Sequence, residues 1–117
     1  MKTHTGGCHC GAVRYEVETD LEKVIECNCS HCQAKGLLLA FVMPEQFRLT
    51  KGSEEELTDY QFTKKSIHHL FCPTCGVQSY ASGTNSKDEK MISINVRCLD
   101  DIDLHAIGRT AVNGKDF

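Results

Sequence analysis

The sequence predicts a mostly β domain of short strands, on three observations. Apolar and polar residues alternate over several short segments separated by turn signals. No window supports a helix longer than two turns. Seven of the eight cysteines fall into three tight clusters of the kind that cross-link a small chain through metal.

The elements follow in order. From Ala12 to Glu18, Val13, Tyr15 and Val17 face one way and Arg14, Glu16 and Glu18 the other, the period of a half-buried strand. Ser30 is placed to cap a short helical turn through His31, Cys32 and Gln33, and Gly36 to end it. The unbroken apolar run from Leu37 to Met43 predicts a buried strand closed by Pro44. Phe47 to Thr50 and Leu57 to Phe62 are two further strands, separated by Lys51-Gly52 and a solvated turn at Glu54-Glu55-Glu56. Ile67 to Phe71 enters a turn at Cys72-Pro73-Thr74-Cys75-Gly76, and Val77 to Ala81 leaves it as a short strand. Ser82 to Lys90 is polar and expected to be an exposed loop. Met91 to Leu99 then alternates, with Ile92, Ile94, Val96 and Cys98 sharing one face.

At 117 residues the chain has the size of one domain, expected over 1–117. No apolar leader or membrane-length segment is present, so the expected address is the cytoplasm and no membrane partner is expected. In a reducing compartment, closely spaced cysteines are metal ligands more often than disulfides. A formal charge of −3 gives no basic field for phosphates, and no nucleic acid is expected as partner. Neither a GxGxxG nor a GxxxxGK[ST] loop occurs, which argues against nucleotide chemistry.

The clusters are Cys8-His9-Cys10 followed by Gly11, the triplet in Cys27-Asn28-Cys29-Ser30-His31-Cys32, and Cys72-Pro73-Thr74-Cys75 followed by Gly76. Tetrahedral zinc with bonds of about 2.3 Å sets neighbouring sulfurs roughly 3.8 Å apart, so ligands must arrive together on tight backbone. In an extended CxC the side chains already share a face, and in CxxC a turn unites them. Gly11 and Gly76 let the chain bend beyond each pair. Structural zinc is closed by four protein ligands, whereas catalytic zinc commonly has three and an open position. Seven cysteines divide accordingly: Cys8, Cys10, Cys72 and Cys75 in a closed site, and Cys27, Cys29 and Cys32 in an open one. Spacing alone leaves a second partition open, in which Cys27 and Cys29 complete a site with Cys72 and Cys75.

Three thiolates leave Zn²⁺ with a net charge of about −1, which weakens its power to acidify water and disfavours hydrolysis. Such a soft centre suits another sulfur ligand and holds a substrate thiol as its thiolate near neutral pH. Thiolate attack on a small aldehyde makes a carbon-sulfur bond, and the reverse breaks it. The expected chemistry is that of a carbon-sulfur synthase or lyase, with a small thiol and a small aldehyde as partners.

Gly6-Gly7-Cys8-His9-Cys10-Gly11-Ala12-Val13-Arg14-Tyr15, the triplet segment, and Phe71-Cys72-Pro73-Thr74-Cys75-Gly76 together resemble the glutathione-dependent formaldehyde-activating enzyme family, whose domain is shared with centromere protein V. The resemblance runs from about Gly6 to Leu99, through Ile94-Asn95-Val96-Arg97-Cys98-Leu99-Asp100, and extends to Gly114-Lys115-Asp116-Phe117. It implies a zinc-stabilised β-tent of mainly antiparallel strands. Cys8, Cys10, Cys72 and Cys75 match the family's structural ligands, and Cys27, Cys29 and Cys32 its catalytic zinc ligands. The implied reaction joins glutathione and formaldehyde into S-hydroxymethylglutathione.

Other residues are open at this level. His9 and His31 lie between ligands, either as acid, base or supporting groups or as ordinary exposed imidazoles. His68 and His69 point opposite ways on a strand, and they, His4 and His105 are assigned no role. Cys98 is expected to pack as a small hydrophobe. Lys35, Lys64, Lys65 and Arg97 are candidates for glutathione carboxylates, with solvated charge as the plain reading of each. The alternative to an enzyme is a non-catalytic, zinc-stabilised module that binds a protein partner. Redox sensing by the triplet is compatible with either.

Overall fold

The computed structural model describes residues 2–62, 67–85 and 87–113. Lys64, Lys65 and the terminal segment Gly114 to Phe117 lie outside the described residues.

Among the described residues, ten strands form two sheets. Strands β1 (Lys2–Gly7), β2 (Arg14–Thr19) and β5 (Phe47–Lys51) make the smaller one, in the order β1-β2-β5. The larger contains β3 (Val24–Cys27), β4 (Leu39–Val42), β6 (Thr58–Tyr60), β7 (Ile67–Phe71), β8 (Tyr80–Thr84), β9 (Lys90–Asn95) and β10 (Arg109–Val112). Its order is β10-β3-β4-β9-β8-β7-β6, and its ladders are antiparallel except that of β10 with β3. The expected mostly β architecture with mainly antiparallel pairing is the one observed. Helix α1 (Ser30–Lys35) is a short interruption, and no described helix is long and apolar enough to cross a membrane.

Burial explains the pattern. Val13, Tyr15 and Val17 are buried in alternation, and Tyr15 and Val17 share one apolar cluster with Leu38 and with Val24, Ala40, Val42, Ile92 and Ile94 from the larger sheet. Tyr15, Phe47 and Tyr80 interlock at the centre, with ring centroids 5.1 Å apart for Tyr15 and Phe47 and 4.6 Å for Phe47 and Tyr80. A second, smaller cluster of Cys8, Val13 and Cys72, with Leu49, Leu57 and Val77 against it, lies around two of the cysteine turns.

Several expectations are corrected. The run Leu37 to Met43 is not buried throughout: β4 covers only Leu39–Val42, and Phe41 faces solvent at 48% exposure because the sheet is covered on one face there. The strand expected at Val77 to Ala81 begins at Tyr80 and continues to Thr84, with Ser82 buried, so the loop expected from Ser82 starts only beyond Thr84. Pairing with both β7 and β9 extends this polar strand. β9 stops at Asn95, where a 3-10 turn at Val96–Cys98 takes Cys98 off the shared face. Cys98 is partly exposed, its Sγ 3.8 Å from the Gln78 carbonyl oxygen.

Candidate metal centre

Two knuckles of similar build carry four of the cysteines. In the first, the Cys8 N–H donates to the Val13 carbonyl at 3.1 Å; in the second, the Cys72 N–H donates to the Val77 carbonyl at 3.1 Å. Each turns through a glycine at positive φ, +82° at Gly11 and +80° at Gly76, where an L side chain would be strained. Leu99 bridges Gly6, just before the first knuckle. The Sγ atoms of Cys8, Cys10, Cys72 and Cys75 all lie within 4.8 Å of one another. Cys8 to Cys10 and Cys10 to Cys72 are both 3.6 Å, close to the edge of a zinc-thiolate tetrahedron.

The third cluster is built differently. β3 delivers Cys27 at its end, and β10 braces it: Val112 pairs with Cys27, and the Asn28 N–H donates to the Val112 carbonyl at 3.1 Å. The chain then enters α1, whose cap is Cys29 rather than the expected Ser30. Cys29 Sγ accepts the Cys32 N–H at 3.3 Å, replacing the oxygen acceptor of an ordinary N-cap. Gly36 closes the helix in the left-handed conformation. The sulfurs of Cys27, Cys29 and Cys32 lie within 4.8 Å of one another, and no fourth cysteine, histidine or carboxylate among the described residues joins the group.

Backbone donors favour ionisation at Cys29, Cys72 and Cys75, whereas at Cys10 the Ala12 N–H is outweighed by the neighbouring thiols and burial, and the pKa rises to about 11. The Cys75 N–H leads in lowering the pKa of Cys72. Burial opposes ionisation at Cys75, but the N–H groups of Val77 and Cys10 outweigh it and bring the pKa down to about 6. Burial is likewise opposed at Cys29, where the Cys32 N–H and neighbouring thiols lower the pKa. Cys32 is pushed up by burial, so a cation would be needed to hold it as thiolate. Four gathered sulfurs and three gathered sulfurs, with N–H donors aimed at them, fit soft divalent metal. Both clusters can hold metal ions, consistent with zinc.

The sequence profile of the glutathione-dependent formaldehyde-activating enzyme family matches residues 3–112. The chain belongs to that family. The crystal structure of a Rhodobacter sphaeroides protein is similar to it with a TM-score of 0.79 and 31% identity, over 92% of this chain and 97% of that one. Membership in the glutathione-dependent formaldehyde-activating enzyme family ties the chain to glutathione and formaldehyde chemistry.

Against this family background, the other candidates separate. His9 is exposed. His31 is half-buried, its ring centroid 4.1 Å from His69, 5.2 Å from Phe62 and 5.8 Å from Tyr60. Sequence reasoning assigned His69 nothing. It is buried opposite His31, and burial, then the neighbouring His31, lowers its pKa to about 4. Its neighbour on β7, His68, points the other way, Nδ1 2.7 Å from Asp59. Lys35 is occupied: its Nζ donates to Gln78 Oε1 at 2.9 Å and lies 4.8 Å from the Phe71 centroid. Arg97 lines a cavity of about 430 Å³ together with Cys27 and Cys32. A larger cavity of about 570 Å³, lined by Glu54, Asp59, His68 and Lys90 among others, contains none of the clustered cysteines.

Proposed function

We propose that the protein is a zinc-dependent carbon-sulfur lyase and synthase acting on a thiol-aldehyde adduct such as S-hydroxymethylglutathione. One observation carries this reading: Cys27, Cys29 and Cys32 gather without a fourth protein ligand among the described residues, and Cys27 and Cys32 line a cavity. The four-cysteine cluster, by contrast, is complete in itself and has the structural role, holding β1 and β2 to the turn after β7.

Zinc held by Cys27, Cys29 and Cys32 would favour the thiolate form of a substrate sulfur. In the forward direction that sulfur attacks the carbonyl carbon of formaldehyde. The carbon-sulfur bond forms, the carbon-oxygen π pair moves to oxygen, and the oxygen takes a proton, giving RS–CH₂–OH. The reverse returns thiol and aldehyde, and no oxidant or reductant is required. The chain's own contribution is placement: Cys29 fixes α1, β10 fixes Cys27, and the rings of His69, Phe62 and Tyr60 pack around His31 on the helix that carries Cys32.

Because thiols add to formaldehyde unaided, the test is a rate above background. Exchange between formaldehyde and its glutathione adduct, followed by NMR, should accelerate in proportion to protein concentration. It should fall to the buffer rate when Cys27, Cys29 and Cys32 are all replaced by Ser. A wild-type rate equal to buffer would overturn the proposal.

A further inference from the structure

Resting on that reading, we infer that Arg97 is the specificity determinant of the triplet site, selecting thiols that carry a free carboxylate. Cys27 and Cys32 face a cavity of about 430 Å³, within the size range of small-molecule sites. Among the described residues that line it, Arg97 is the one cation. The single lining carboxylate, Glu26, is already turned to Arg109 Nη1 at 3.8 Å. Asn28, Gln33 and Asn113 also line the cavity, and Asn28 Nδ2 donates to Asn113 Oδ1 at 2.9 Å.

Arg97 is held in place for this task. Its Nε–H donates to the Gly36 carbonyl at 2.8 Å, tying it to the residue that ends the helix carrying Cys32. Its backbone N–H donates to Asn95 Oδ1 at 3.2 Å, which fixes the 3-10 turn beneath it. Both Nη groups have no partner among the described residues, and a guanidinium with Nε anchored still offers them to a carboxylate. Anchoring before binding lowers the ordering cost that a free surface arginine would meet. The other cation described near α1, Lys35, is spent on Gln78 and Phe71.

The probe is cobalt-loaded protein, because added thiolate ligation to cobalt changes its visible absorption without any turnover. Wild-type protein is titrated with glutathione, with glutathione diethyl ester and with 2-mercaptoethanol, and the glutathione and ester titrations are repeated with Arg97→Gln and Arg97→Lys. Glutathione should bind about ten-fold or more tightly than its ester to the wild type, as expected for one charge-assisted carboxylate contact. Arg97→Gln should weaken glutathione by a similar factor and leave the ester within about two-fold. Arg97→Lys should fall between, since a lysine lacks the planar fork. Equal affinities for glutathione and ester in the wild type would overturn the inference while leaving the thiol reading intact, and that comparison does not depend on any variant folding. Glutathione affinity unchanged in Arg97→Gln would do the same. A spectrum that no thiol alters would instead overturn the thiol reading, and this inference with it.

Discussion

Cys29 Sγ accepts the backbone N–H of Cys32 at 3.3 Å, so one thiol of the triplet caps the helix that carries another. Serine at position 29 keeps a capping acceptor but lacks the thiolate, whereas alanine lacks both. With the four-cysteine site loaded and the triplet empty, Cys29→Ala should be about 1 kcal/mol less stable than Cys29→Ser by urea denaturation. Both should remain folded and lose metal at the triplet. Equal stability of the two variants would mean that the cap contributes nothing.

The four-cysteine cluster should behave oppositely. Cys72 is buried between the two knuckles, and binding energy at a closed zinc site is folding energy. Cys72→Ser and Cys75→Ser should both lose cooperative thermal unfolding, read by near-ultraviolet circular dichroism. Chelation of the wild type should reproduce the effect. A normal melting curve for either variant would remove the structural role.

Gly7→Ala is predicted to loosen the first knuckle. A Cβ at Gly7 would collide with the Val13 carbonyl oxygen, which is the acceptor for the Cys8 N–H. The backbone must separate where the first knuckle begins, at a cost of at least about 2 kcal/mol. Gly11→Ala meets no atom within 4 Å and suffers only the positive φ, about 1–2 kcal/mol. Denaturant midpoints should therefore rank Gly7→Ala below Gly11→Ala. The reverse order would contradict the geometry.

How much of this was legible depended on whether the determining contact is local. The burial of Val13, Tyr15 and Val17 follows from the two-residue strand period, and the knuckles follow from CxC and CxxC with their glycines. β1 has no apolar alternation in Lys-Thr-His-Thr-Gly-Gly, and exists because each of its residues pairs with β2. β10 likewise owes its existence to the parallel ladder with β3. Which cysteines meet was undecidable from spacing, because Cys10 and Cys72 are joined only by the course of the sheets. His69 was missed for the same reason: β7 buries His69 and Leu70 in succession, so no alternation marks the residue that faces His31. The Cys29 cap was missed because sulfur is not among the usual capping acceptors, although its position before Ser30 was the available signal.

His69 also sets a pH dependence. Burial lowers its pKa from the ordinary 6.5 to about 4, so between those values the unfolded chain takes up a proton that the folded chain refuses. Stability should be flat with respect to this group above about pH 6.5, fall as pH drops toward 4, and level below it. His69→Phe should remove that part of the slope, measured as the difference between wild-type and variant stability across pH 4 to 7. Parallel curves for the two proteins would show that His69 is protonated alike in both states.

Zinc content, measured by elemental analysis on protein purified under reducing, chelator-free conditions, tests the division of the cysteines most directly. Wild type should carry two zinc ions per chain, and the variant with Cys27, Cys29 and Cys32 all replaced by Ser should fold and carry one. A single zinc in the wild type that survives the triple replacement would contradict the account, because the triplet would then hold no zinc on which carbon-sulfur chemistry could rest.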